Sequence, residues 1–289
     1  MGLNFWNKSK QFKTILAERY NNKGLAYLRK GKVELAIKNY DKAIEINSEY
    51  AYAYCNRAIA FANVGDIDNT IKDLNKAIQL DPDYVEAYYS RGVIYFNKGD
   101  VDNAMNDLTT AIQLKPDFAE AYCNRGTVYS NNGDFDNALK DFDKSIQLQP
   151  DYADTYYNRG TTYADKDDID NAIRDYNTAI KLNPDDADFY FNRALAYAQK
   201  GEFDNSITDF DMVIQLQPEH ADAYNNRGEA WLHLQEWKNA KSDLITAADI
   251  GFDIITSFHN DYASVEDFEQ KTGIKLPNDI AVLLTPAQT

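Results

Sequence analysis

The stretch AYCNRGTVYSNNGDFDNALKDFDKSIQLQP, residues 121–150, decides the fold. In its first half Tyr122, Gly126 and Tyr129 stand at i, i+4 and i+7, which makes one stripe on a helix. Asn132-Gly133-Asp134 then reads as a turn. The second half, FDNALKDFDKSIQL, opens behind an acidic capping residue, keeps the helical period, and is ended by Pro150. Two short helices joined by a tight turn form a helical hairpin.

The pattern returns every 34 residues. Arg57, Arg91, Arg125, Arg159, Arg193 and Arg227 keep that step, as do Pro82, Pro116, Pro150, Pro184 and Pro218. With Ala17 as position 1, seven repeats run 17–50, 51–84, 85–118, 119–152, 153–186, 187–220 and 221–254. Position 4 is Tyr throughout, position 8 is Gly or Ala, position 11 is aromatic, and positions 20 and 27 are mostly small.

Period, aromatic-small-aromatic stripe, paired small residues and closing Pro resemble the tetratricopeptide repeat family. The resemblance covers 17–254. It implies an all-α solenoid of helix-turn-helix repeats, a right-handed superhelix whose first helices line a concave groove. The departures are Ser48 for Pro in repeat 1, Ala58 and Thr70 in repeat 2, and Gly251-Phe252 at the end of repeat 7. Terminal repeats are expected to be atypical, because one side lacks a neighbour. Residues 1–16 are expected to form a leading helix or cap, the alternative being a weak interfacial anchor charged by Lys8, Lys10 and Lys13. Residues 255–289 are expected to be capping helices. Ser264 would cap VEDFEQKT, Gly273 would stop it, and Pro277 would open NDIAVLL. A docking element for a partner is the other reading of this tail.

The repeated Asn-Arg-Gly splits into three instructions. Gly at position 8 lets two helix backbones approach closely, which offsets the ~1 kcal/mol that a mid-helix Gly costs relative to Ala. Arg at position 7 lies level with position 23 across the hairpin. The pairs are Arg57 with Asp73, Arg91 with Asp107, Arg125 with Asp141, Arg159 with Asp175, Arg193 with Asp209, and Arg227 with Asp243. Where the Arg becomes Lys23, the Asp becomes Asn39. A partly buried, bidentate ion pair inside each repeat is expected; an outward Arg that binds an anion is the alternative.

Asn at position 6 falls on the remaining face: Asn22, Asn56, Asn124, Asn158, Asn192 and Asn226, with Ser90 the exception. The row resembles the asparagine ladder in the repeat domain of O-linked N-acetylglucosamine transferase, which implies hydrogen bonds to a bound peptide backbone. Polar filler in an Asn-rich chain is the plainer account. At position 5, Tyr89, Tyr157 and Phe191 stack either on a ligand or on neighbouring repeats. At position 2, Glu86, Glu120, Asp154 and Asp188, with Glu18 and Asp222, favour helix starts and give the groove an acidic rim.

The 289 residues carry a net charge of −16, and the pI is near 4.6. That argues against a nucleic-acid backbone as partner. Some relatives grip a partner's terminal carboxylate with basic residues on the first helices. Here position 2 is acidic in six repeats and position 5 never holds Lys, so an extended neutral-to-basic segment fits better. No hydrolase, zinc-protease or phosphate-loop motif appears, and DKDDIDNAIRD at 165–175 lacks the Gly and closing Glu of a calcium loop. Neither an enzyme, a cofactor nor a metal is expected. Cys55 and Cys123 stand two repeats apart, beyond disulfide reach. No secretory or membrane-spanning segment is evident, so a cytoplasmic protein is expected. The leading function is a non-catalytic protein–protein interaction scaffold that binds a peptide. A self-assembling structural or oligomerisation module is the alternative.

Overall fold

A computed structural model describes residues 2–286, with side chains from residue 11 onward. The side chains of Asn7, Lys8, Ser9 and Lys10 and the last three residues of the tail lie outside the described residues. All regular structure among the described residues is α-helical, and none of these helices is long and apolar enough to cross a membrane. The chain forms two compact halves, residues 1–148 and 149–289.

The N-terminal half holds four hairpins: α1 (Gly2–Leu28) with α2 (Val33–Ile46), α3 (Ala51–Ala62) with α4 (Ile67–Leu80), α5 (Val85–Asn97) with α6 (Val101–Leu114), and α7 (Ala119–Asn131) with α8 (Phe135–Leu148). The leading segment is not a separate helix. Nothing in QFKTILAERY breaks the chain, so it runs straight into the first helix of repeat 1. The C-terminal half holds α9 (Ala153–Asp165) with α10 (Ile169–Leu182), α11 (Ala187–Gln199) with α12 (Phe203–Leu216), and α13 (Ala221–His233) with α14 (Trp237–Ile250). Three short helices follow: α15 (Ile254–Asp261), α16 (Val265–Thr272) and α17 (Asn278–Leu283).

Local chemistry sets each boundary. Position 15 turns the hairpin through left-handed backbone, at φ 68–78° for Gly31, Gly65, Gly99, Gly133 and Gly201. Only Gly adopts this without steric cost, yet Asp167 and Gln235 do the same work at φ 63° and 60°. In repeats 2 to 5 the next residue caps the second helix. Asp66, Asp100, Asp134 and Asp168 each accept the backbone N–H three residues on, from Asn69, Asn103, Asn137 and Asn171, at 3.2–3.3 Å. The same Asn side chains donate back to the capping carboxylates at 2.7–2.8 Å. The helix ends where the residue before Pro must leave helical backbone: Asp81, Lys115, Asn183 and Gln217 sit at φ −134° to −138°.

Inside the hairpin an aromatic or Leu at position 24 fills the core, and position 8 must make room for it. A Cβ on Gly126 would stand 2.8 Å from the Phe142 ring and 3.2 Å from the Ala138 carbonyl oxygen. At Gly160 the clash would be with Tyr176, at 2.9 Å.

The guanidinium one residue earlier fastens the same turn. In all six Arg repeats, Nε and Nη2 donate to the two carboxylate oxygens of the position-23 Asp at 2.6–2.9 Å. The Asp side chains are 4–10% exposed and the Arg side chains 16–19%. Within each half, Nη1 goes elsewhere, to position 25 of the preceding repeat. Arg57 reaches Asp41 at 2.6 Å, Arg91 reaches Asn75 at 2.6 Å and Arg125 reaches Thr109 at 3.2 Å. In the C-terminal half, Arg193 reaches Asn177 and Arg227 reaches Asp211. The rings at positions 4 and 11 flank the cation at 5.5–6.0 Å from their centroids, as Tyr122 and Tyr129 do for Arg125. In repeat 1, Lys23 lies over the Tyr27 ring and Asn39 turns back to the Leu35 carbonyl.

The tail packs on the last hairpin. Ile254, Phe258, Phe268, Leu276, Ile280 and Leu284 join Leu232, Ala240, Leu244 and Ala247 in one core. Ser264 accepts from the Asp267 N–H, and Gly273 closes α16 at φ 72°. Lys241 ties α14 to Asp279 of α17 at 2.6 Å. Between α13 and α15 lies a polar seam. Asn225 Nδ2 donates to Glu229 Oε1 at 2.9 Å and to Ser257 Oγ at 3.2 Å. Burial pushes the Glu229 carboxyl up to about 7, with the Asp261 carboxylate adding to the rise and the Asn225 bond opposing it.

Two measurements follow from this packing. Replacing either Arg125 or Asp141 by Ala strands its partner, and each change should cost about 2–3 kcal/mol in chemical denaturation, somewhat below the range for fully buried pairs. Arg125→Met with Asp141→Leu should recover most of that loss; single variants within about 0.5 kcal/mol of wild type would remove the pair as a structural determinant. Glu229 binds its proton more tightly folded than unfolded, so its contribution is complete below its ordinary pKa of 4.5 and is lost as pH rises through about 7. Glu229→Gln should therefore flatten thermal stability across that window and raise it above neutral pH. An unchanged slope would exclude Glu229 as its source.

Candidate functional site

First-helix positions 2, 6, 9 and 13 share one arc, away from the Arg and Gly of position 7 and 8. The Asn row on this arc is internally bonded. In the N-terminal half, Asn56 Nδ2 donates to Asn21 Oδ1 of the preceding repeat at 2.9 Å. Asn124 Nδ2 donates to the Tyr89 hydroxyl at 2.9 Å and to the Glu120 carbonyl at 3.0 Å. In the C-terminal half, Asn192 repeats both bonds, to the Tyr157 hydroxyl and the Asp188 carbonyl, each at 3.0 Å. Asn226 donates to the Asp222 carbonyl at 2.8 Å. Asn22 is exposed and Asn158 half-buried.

These partners fix what the side chain still offers. A backbone carbonyl only accepts, so the NH2 end of Asn124 and Asn192 must face it. Both N–H groups are then used, and the remaining capacity is the amide oxygen, an acceptor. The position-2 carboxylates beside them are acceptors too. Glu86, Asp154 and Asp188 are exposed and Glu120 is half-buried. Glu120 also lies close to the Tyr89 hydroxyl. Burial pushes that phenol's pKa up and the Glu120 charge pushes it further, while burial, Asp188 and Asp186 act in the same sense on the half-buried Tyr157.

The rings of the position-5 aromatics pack against other rings of the protein, mostly within their own repeat and once, from Tyr157 to Phe189, on the next one. Tyr89 lies 4.8 Å from Phe118, centroid to centroid. Tyr157 lies 5.0 Å from Phe189 and 6.0 Å from Tyr176, and Phe191 stacks on His220 at 5.0 Å. Only the hydroxyl ends of Tyr89 and Tyr157 meet the Asn row. Cys55 and Cys123 are buried at the same position, and burial pushes the Cys55 thiol up to about 11, which makes it a poor nucleophile.

One element of this face has only a faint sequence signal. Beside Ser90, between α3 and α5, a cavity of about 180 Å³ opens against Ile59, Leu74, Val93 and Ile94. The sequence marks the spot only by the missing Asn.

A tetratricopeptide repeat model matches residues 24–65, 64–99, 92–133 and 160–201, and a second matches 119–152 and 187–220. No curated protein sequence matches significantly. Among solved structures the fold is similar to a chain of the APC/C hetero-tetramer Cut9-Hcn1, with TM-score 0.68 and 22% identity over 78% of this chain and 46% of that one. This chain thus spans less than half the length of that match. It is also similar to a tetratricopeptide repeat protein from Parabacteroides merdae, with TM-score 0.63 and 21% identity over 82% and 94% of the two chains. MamA aligns with TM-score 0.50 and 26% identity over 58% and 92%. With its 34-residue step, its helical hairpins and these matches, the chain belongs to the tetratricopeptide repeat family, whose members generally mediate protein–protein interactions.

Proposed function

We propose that this chain is a non-catalytic scaffold that holds extended, neutral-to-basic peptide segments along the exposed arc of the first helices within each half. The observation that carries this reading is the polarity of the hydrogen bonding there. Asn124 and Asn192 spend their donors within the protein, and Glu86, Glu120, Asp154 and Asp188 have only acceptors to give. A ligand that complements such a face brings donors: backbone N–H groups and the side chains of Lys or Arg. The net charge of −16 steers the same class of ligand over a longer range.

The test must separate ligand contact from the packing that the same Asn supports. Asn192→Ala removes both the free acceptor and the bridge to Tyr157, whereas Tyr157→Phe removes the bridge alone. A random library of short amidated peptides is selected on the full-length protein, and the best binders are titrated against both variants. The two variants should lose similar thermal stability, and Asn192→Ala alone should weaken the peptides, by about tenfold for one lost hydrogen bond to a charged or well-placed donor. Equal affinities for the two would remove the Asn row from the binding face. Self-association that grows with concentration in light scattering, with no peptide enriched, would replace the reading by the self-assembly module.

A further inference from the structure

The Asn row breaks once, at Ser90, and the cavity of about 180 Å³ lies at the break. Elsewhere in this half the position-6 amide reaches back to position 5 of the preceding repeat, from Asn56 to Asn21 and from Asn124 to Tyr89. A Ser hydroxyl is one bond shorter than a carboxamide nitrogen. The residue opposite is Cys55, which is buried and engaged with Tyr84. The bridge is therefore lost at this level, and the cavity opens beside Ser90, toward Ile59 and Ala62 of α3 and Val93 and Ile94 of α5.

What lines that space is mostly aliphatic, with Thr70 and Ser90 the hydroxyl-bearing exceptions. Ile59 from α3, Leu74 from α4, and Val93 and Ile94 from α5 form the walls, with Tyr89 at one side. Ile59 keeps 38% of its surface exposed, so the apolar wall continues to the open face. Position 9 is Leu25, Ile59 and Val93 in the first three repeats, and Thr127 in the fourth. The rim is acidic. Glu86 stands one helical turn from Ser90 on the same face, and Glu120 lies near enough to Tyr89 for its charge to act on that phenol.

We infer that the cavity beside Ser90 is the anchor pocket of the binding face, taking one large apolar side chain, of leucine to phenylalanine size, from an extended segment that presents Lys or Arg alongside it to Glu86 and Glu120. This deepens the peptide-scaffold reading and rests on it. A cavity of this size walled by aliphatic carbon gains by filling with apolar rather than polar groups. The acidic rim supplies the charge complementarity that a wholly apolar partner surface would lack. The pocket also gives the face a register. A row of equivalent acceptors would let a peptide slide by one repeat, and a single deep site stops it.

The experiment uses the full chain and a random library of short amidated peptides, selected on wild type. Enriched sequences should share one Leu, Ile, Met or Phe at a fixed distance from a Lys or Arg. Replacing that apolar residue by Ala in the tightest peptide should weaken it about tenfold or more. Ser90→Asn, a residue that six other repeats carry at this position, should weaken the parent peptide by a similar factor, and combining it with the Ala peptide should cost little more. Ile59→Phe, which fills the pocket from the other wall, should act likewise if Ser90→Asn misfolds. Glu86→Gln with Glu120→Gln should remove the preference for the basic residue. Peptides that bind but tolerate Ala, or that bind both filled variants unchanged, overturn the pocket while leaving the scaffold reading in place. No enrichment on wild type overturns both.

Discussion

A half-buried guanidinium is the constraint on which repeats 2 to 7 depend. Such a group is costly to desolvate, and it is tolerated where each of its nitrogens finds an acceptor. Arg125 meets that condition by gathering parts from three helices: both oxygens of Asp141, the hydroxyl of Thr109, and two tyrosine rings from its own helix. The demand propagates outward. The two helices of a hairpin must lie close enough for a bidentate pair, so the next residue is small: Gly126 here, where a methyl would strike Phe142, and Ala58 and Ala194 after Arg57 and Arg193. The preceding repeat must hold its second helix at one height, so that a position-25 oxygen meets Nη1. The tyrosines of the aromatic stripe are thus both core and counter-surface for a cation.

The same arrangement shapes the exposed face. Six arginines are tied inside hairpins, so the arc formed by positions 2 and 6 displays carboxylates and amide oxygens with little positive charge among them. The hydrogen bond between Asn124 and Tyr89 adds a link between neighbouring first helices, and it leaves the side chain with an acceptor's character only. Acidity here is local chemistry as well as net composition.

Much of the fold could be read from the period alone. The 34-residue step places the hairpins, Asp66, Asp100 and Asp168 start their helices, and the prolines stop them, because each effect is local and recurs unchanged. The Arg–Asp geometry was legible for a related reason: both partners are kept together, and both are exchanged together in repeat 1. The third arginine bond was not legible, since Asp41, Asn75, Thr109, Asn177 and Asp211 share an oxygen and no identity. Helix α15 was hidden because it follows repeat 7 without the repeat's pattern. The cavity was hidden because its walls come from three helices, α3, α4 and α5, and no repeated residue marks it. Tyr89 and Tyr157 could be placed on a face from spacing, but the division between ring and hydroxyl needed the neighbouring repeat.

The variety at position 25 has a consequence for how such a chain changes over generations. Since the Nη1 contact asks only for a side-chain oxygen at a given height, an arginine accepts Asp41, Asn75 or Thr109 alike. A recombination event that deletes or duplicates one interior repeat gives the arginine at the junction a new upstream neighbour that still presents a side-chain oxygen. Length can drift by whole repeats while this contact is re-formed. A mark such as Ser90, borne by a single repeat, is then what gives one copy an address among otherwise interchangeable ones.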